Sequence, residues 1–109
     1  MPTTYKVLGQ SNPSATTLTT LYTVPASTST VVSTVTVANL ANASGTFRIA
    51  VRPAGESIAN KHYIAYDITI SALDTLTLTL GVTLATTDVI SVYASSSTMA
   101  FAAYGSEIS

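Results

Sequence analysis

The chain contains no cysteine and no tryptophan, and only 8% of its residues carry charge. Without cysteine there are no disulfides and no thiolate metal sites, so stability has to come from packing, and the redox compartment is left open. The sparse charges are Lys6, Arg48, Arg52 and Lys61 against Glu56, Asp67, Asp74, Asp88 and Glu107, a net of −1. A protein that neutralises phosphates needs a basic stripe, and none is present, so nucleic acid is not expected as a partner. Long apolar runs are missing too. Mean hydropathy is +0.44, yet Thr and Ser interrupt every apolar stretch before the roughly 18 residues that a spanning helix needs. The opening Met1-Pro-Thr-Thr-Tyr-Lys6 has no apolar h-region, so export through a cleavable signal is not expected.

What takes the place of charge is the hydroxyl group: 20 Thr and 14 Ser in 109 residues. A chain of this length makes one domain and buries roughly two-thirds of its unfolded surface. Its local signal is period-two alternation. Asp74-Thr-Leu-Thr-Leu-Thr-Leu80 sets Leu76, Leu78 and Leu80 on one face and Thr75, Thr77 and Thr79 on the other, which predicts a half-buried strand. Thr46 to Arg52 does the same with Phe47, Ile49 and Val51 inward, and Pro53 ends it. Segments rich in Val, Ile, Thr, Tyr or Phe predict further strands near 18–24, 30–40, 62–70, 88–94 and 98–104, with an eighth at Tyr5 to Leu8. No window has helical spacing with caps.

Seven to eight short strands in a chain of this length predict an all-β fold, an antiparallel two-sheet β-sandwich of immunoglobulin-like or jelly-roll type. The apolar phases predict a core of Leu21, Val35, Val37, Phe47, Ile49, Val51, Ile64, Ile68, Leu76, Leu78, Leu80, Ile90, Val92 and Phe101. Residues 1–109 form the single domain. Residues 1–17 include an extended N-terminal arm, since 9–20 are dominated by Ser, Thr, Asn and Pro.

Few residues suggest chemistry. Gly55-Glu-Ser57-Ile-Ala59 resembles a nucleophile elbow, with His62 and Asp67 downstream, but an elbow requires a strand-to-helix turn and no helix is predicted after it. No catalytic residue is therefore assigned. His62 is the only histidine, and the aspartates lack a D-x-D-x-D-G or H-x-x-x-H pattern, so neither metal nor cofactor is expected. Asn42-Ala-Ser44 fits the N-glycosylation pattern, although a hairpin loop using Asn for its turn is the plainer reading. Six tyrosines offer stacking surfaces, which keeps a small carbohydrate-binding module as an alternative.

Threonine suits a strand that will be covered. Its hydroxyl costs on the order of 1–3 kcal/mol to bury unpaired, far less than an ion. Low net charge also leaves little repulsion between copies. The strands therefore read as surfaces made to meet protein.

The runs Lys6-Val-Leu-Gly-Gln10, Leu21-Tyr-Thr-Val-Pro-Ala26, Val31 to Asn39, Thr46 to Gly55, Tyr63-Ile-Ala-Tyr-Asp67, Asp74 to Gly81, Val89 to Ala94 and Phe101-Ala-Ala-Tyr-Gly105 resemble small virion structural proteins of tailed bacteriophages, notably those infecting cyanobacteria. The resemblance implies a β-sandwich in the virion with no cofactor and no reaction. The favoured role is a cement or decoration protein on the head, bound to the major capsid protein and to other copies of itself as a trimer. A neck, tail or fibre-attachment subunit is the alternative. Gln10, Asn12, Pro13, Thr16, Thr17 and Thr20, in the extended segment, are the expected interface residues.

Overall fold

A computed structural model describes residues 2–109. Eight strands follow one another: β1 (Thr3–Ser11), β2 (Thr19–Thr23), β3 (Ser29–Asn39), β4 (Gly45–Arg52), β5 (Tyr63–Ile70), β6 (Thr75–Leu84), β7 (Val89–Ala94) and β8 (Met99–Ile108). Two short 3₁₀ turns, Pro53–Gly55 and Asn60–His62, lie in the β4–β5 connection.

The strands form two four-stranded sheets, in the orders β1-β8-β3-β6 and β2-β7-β4-β5. Every neighbouring pair is antiparallel. The pairs β1 with β8, β2 with β7, β3 with β6 and β4 with β5 are those of one long hairpin whose tip is the β4–β5 connection. The pairs β3 with β8 and β4 with β7 then roll that hairpin into two layers. This is the strand order of a jelly roll, so the expected sandwich is formed and the immunoglobulin-like alternative is not.

The inward-facing residues of both layers make the core. Phe101 on β8 meets Phe47 on β4 edge to face, with ring centroids 6.1 Å apart. Val35, Val37 and Met99 from one sheet and Ile49, Ile90 and Val92 from the other surround them, all fully buried. Side chains of this size contribute about 1.5–3 kcal/mol each on burial.

Two members of the expected core sit elsewhere. Ile64 is 49% exposed and Ile68 42%. The register of β5 against β4 shifts twice, and Asp67 takes a left-handed φ of 50°, so Ala65 and not Ile64 lies opposite Ile49. Ile68 does lie opposite Phe47, but β5 is a sheet edge with no neighbour on its far side. On β6 the alternation holds from Thr75 to Leu84, and Leu76, Leu78 and Leu80 are half-buried because β6 is the edge of the other sheet.

The N-terminal segment is part of the roll and not an arm. Gly9 to Ser11 continue β1, and the chain then crosses to the second sheet. Asn12 Nδ2 donates to Ser97 O at 2.9 Å and to Met99 O at 2.7 Å, while the Thr16 amide donates to Ala94 O at 2.8 Å. Once these polar groups have partners on β7, β8 and the loop between them, a polar composition no longer implies a detached segment. The crossing also explains Gly9. A Cβ at this position would stand 2.1 Å from the Leu21 carbonyl oxygen, where β1 passes against β2. At Gly81, by contrast, a Cβ meets nothing within 4 Å. Gly9→Ala is therefore expected to cost about 1–3 kcal/mol in denaturant unfolding, because backbone must move. Gly81→Ala is expected to stay within about 0.5 kcal/mol of the parent.

Candidate functional site

The two sheets present different outer faces. On the β1-β8-β3-β6 sheet the outward register runs through Thr3, Tyr5, Val7 and Gln10 on β1 and Ala100, Ala102, Tyr104 and Ser106 on β8. It continues through Val31, Thr34, Thr36 and Ala38 on β3 and Thr75, Thr77, Thr79 and Thr83 on β6. No residue of this face is charged. Its centre is made of small side chains, so Thr36, Ala38, Ala100 and Ala102 leave a shallow depression bordered by Gln10, Ser11 and Asn12. A second depression lies between Tyr5, Val31, Ser33 and Tyr104.

The sheet keeps this face neutral by placing its charges in the other register. Lys6 and Glu107 are its only two charged residues, and they pair at 3.1 Å. Glu107 Oε2 also accepts from Tyr22 Oη at 2.5 Å, and Tyr22 Oη lies 2.8 Å from Thr30 Oγ1. Tyr22 belongs to β2, so this cluster ties the two layers together. The tyrosine hydroxyl, with Lys6 assisting, holds the Glu107 carboxyl below the usual carboxylate range even though partial burial opposes this. Burial, with the Glu107 hydrogen bond next in weight, pushes Tyr22 up to about 12.

The β2-β7-β4-β5 sheet carries charge outward. Arg48 pairs with Asp67 at 2.6 Å, and its guanidinium stacks on Tyr66 and Tyr93, 4.2 and 4.4 Å from the ring centroids. The pairing lowers the Asp67 pKa and raises that of Arg48. The β4–β5 connection is fastened over this sheet by Arg52, which donates to Ser91 Oγ at 3.1 Å and to Glu56 O at 2.9 Å. Asn60, Tyr63 and Tyr66 line a third depression here.

The residues considered for catalysis are engaged separately. His62 is buried, accepting the Ala59 amide on Nδ1 at 3.0 Å. That fixes its proton on Nε2, which donates to Glu56 Oε1 at 3.2 Å. This bond and the Lys61 charge lower the Glu56 pKa. Asp67 belongs to Arg48, so it does not orient His62, and Ser57 stands in the exposed connection. Asn42 and Ser44 are exposed in the β3–β4 loop, anchored by buried Asn39, whose Nδ2 donates to Ala43 O at 2.8 Å and to Ser71 O at 3.1 Å. Among the described residues no group of three or more His, Asp or Glu is placed to hold a metal, and no helix is long and apolar enough to cross a membrane.

The six expected interface residues do not share one surface. Gln10 and Asn12 border the depression on the uncharged face. Pro13 is buried, Thr16 and Thr17 turn the chain with both hydroxyls donating to Ala15 O, and Thr20 is exposed on β2 of the other sheet. The neutral face itself was missed as a unit, because its residues come from four strands whose order the sequence leaves open. Compared with known proteins, the chain matches no family model, no curated protein and no solved structure.

The Tyr22 cluster gives the fold a defined pH response. Tyr22 ionises near its ordinary value of 10.0 when unfolded and only near 12 when folded, so stability present below about pH 10 is lost as pH rises through about 12. Glu107 acts at the other end. Its folded pKa is depressed, so its contribution is lost as pH falls below the ordinary carboxylate range. Tyr22→Phe is expected to lower stability at pH 7 by about 1.5–3 kcal/mol, the range for a hydrogen bond to a charged group. It should also flatten the alkaline limb of a chemical-denaturation series run from pH 8 to 12.

Proposed function

We propose that this chain is a non-enzymatic structural protein of a bacteriophage virion, acting as a capsid cement or decoration protein that bridges neighbouring subunits. The observation that carries the proposal is the uncharged outer face of the β1-β8-β3-β6 sheet. A face of Thr, Ser, Ala, Val and Tyr meets protein without desolvating an ion, and its hydroxyls can pair across the contact. A solvent-facing sheet has no need to exclude charge. The jelly roll supports the reading without deciding it, since capsid proteins and lectins both use this architecture. The resemblance to small virion proteins of tailed phages supplies the particle.

A carbohydrate-binding module is the second reading, favoured by the depression at Asn60, Tyr63 and Tyr66. Against it, Arg48 already covers the Tyr66 and Tyr93 rings, and Tyr63 packs edge-on against Tyr66 at 4.9 Å. Sugar stacking needs a free ring face. Glycan-array binding that is lost in Tyr66→Ala would establish this second reading in place of the first.

The virion reading is tested by putting a charge on the neutral face. Thr36 lies between Ala102 and Thr77 on the neighbouring strands, so Thr36→Lys can lay its side chain along the surface without disturbing the core. Incorporation into purified virions, quantified by mass spectrometry against the major capsid protein, is expected to fall about tenfold or more. Thr69→Lys on the edge of the opposite sheet should leave it unchanged. Unmodified protein is expected at hundreds of copies per particle, as a role repeated over an icosahedral shell requires. A copy number in the tens would assign the chain to the neck, tail or fibre attachment.

A further inference from the structure

We propose that two copies of this chain join through the free edge of β6, pairing antiparallel about a two-fold axis at Thr77. The four sheet edges differ in how they are protected. β1 carries Lys6 and shifts register between Val7 and Gly9. β2 has only five residues and a shift of its own. β5 shifts twice and holds Asp67 at a left-handed φ, with its carboxylate on Arg48. These are the devices by which sheets discourage edge pairing: charge, brevity and bulges. On β6 the register with β3 is unbroken from Thr75 to Thr79, and the first irregularity comes only beyond it, before Val82. That run, Thr-Leu-Thr-Leu-Thr, contains no charge, no proline and no glycine.

The sequence of this run selects a second copy as the occupant. In a two-fold pair centred on Thr77, Thr77 meets its own counterpart, Leu76 meets Leu78 and Thr75 meets Thr79. Every threonine faces a threonine on the outer side, and every leucine a leucine on the inner side, because opposed residues in an antiparallel pair share a face. A charged residue in such a strand would meet like charge across the axis, and this run has none. The leucines gain as well, since Leu76 and Leu78 are only half-buried at the edge of one copy and would be covered by those of the other. The axis stands perpendicular to the sheet, so the two uncharged faces become one continuous surface. An isologous pair closes at two copies, which departs from the trimer that the resemblance implies. The pairing is a property of the isolated chain, whatever particle it joins.

Sedimentation velocity of the purified protein is expected to show a concentration-dependent dimer. Thr77→Lys and Thr77→Glu should each weaken it by about tenfold or more, and mixing the two variants should restore it as a heterodimer, because only residues facing each other across the axis can exchange repulsion for attraction. The chain has no cysteine of its own, so Thr77→Cys offers a second readout that tolerates a folding defect in the charged variants. Oxidation should link two copies through position 77, while Thr83→Cys should not. A monomer at the highest attainable concentration, a trimer, or variants that associate as the parent does with no disulfide at position 77 would overturn the proposal.

Discussion

The position of Glu107 is the constraint on which the rest of this molecule depends. Its carboxylate joins the two layers, gripped by Tyr22 from the opposite sheet and by Lys6 from the neighbouring strand. Had the same charges been set one residue along, every one of them would have pointed outward, because side chains alternate with period two. The clasp that ties the layers is therefore also what leaves the outer face of this sheet uncharged.

The asymmetry of the two outer faces follows from the same economy of charge. Sheet β2-β7-β4-β5 carries Arg48 and Asp67, stacked and paired on its surface, and is partly roofed by the β4–β5 connection with Arg52, Glu56 and His62. Those groups keep one side hydrated. The other side offers hydroxyl and methyl groups, two shallow depressions and little side-chain entropy, since Ala and Thr lose few rotamers when covered. One outer face thus carries charge and the other carries none, the contrast on which the proposed role rests.

Much of the fold was legible in the sequence, and the reasons are particular. β4 and β6 each bury one face, so Phe47 with Ile49 and Leu76 with Leu78 announce their phase directly. Where the phase slips, the signal fails. Ile64 has the composition of a core residue, yet the register shifts of β5 and the left-handed Asp67 turn it outward. The segment from Gly9 to Thr20 misled for a different reason: what fastens it is Asn12, whose side chain is held by the Ser97 and Met99 carbonyls, 85 and 87 residues away. The candidate surface was half legible. Its chemistry was plain in the surplus of threonine, but its extent depends on β1, β8, β3 and β6 lying side by side, and nothing local to any one strand encodes that order.

The most direct test is a density map of the purified virion resolved well enough to place this chain and trace its strands. The β1-β8-β3-β6 face should lie against neighbouring protein subunits, with Arg48, Tyr66 and Asp67 on the solvent side. A map in which that uncharged face is open to solvent while the Arg48 side makes the contacts would contradict the assignment of the neutral sheet as the surface of assembly.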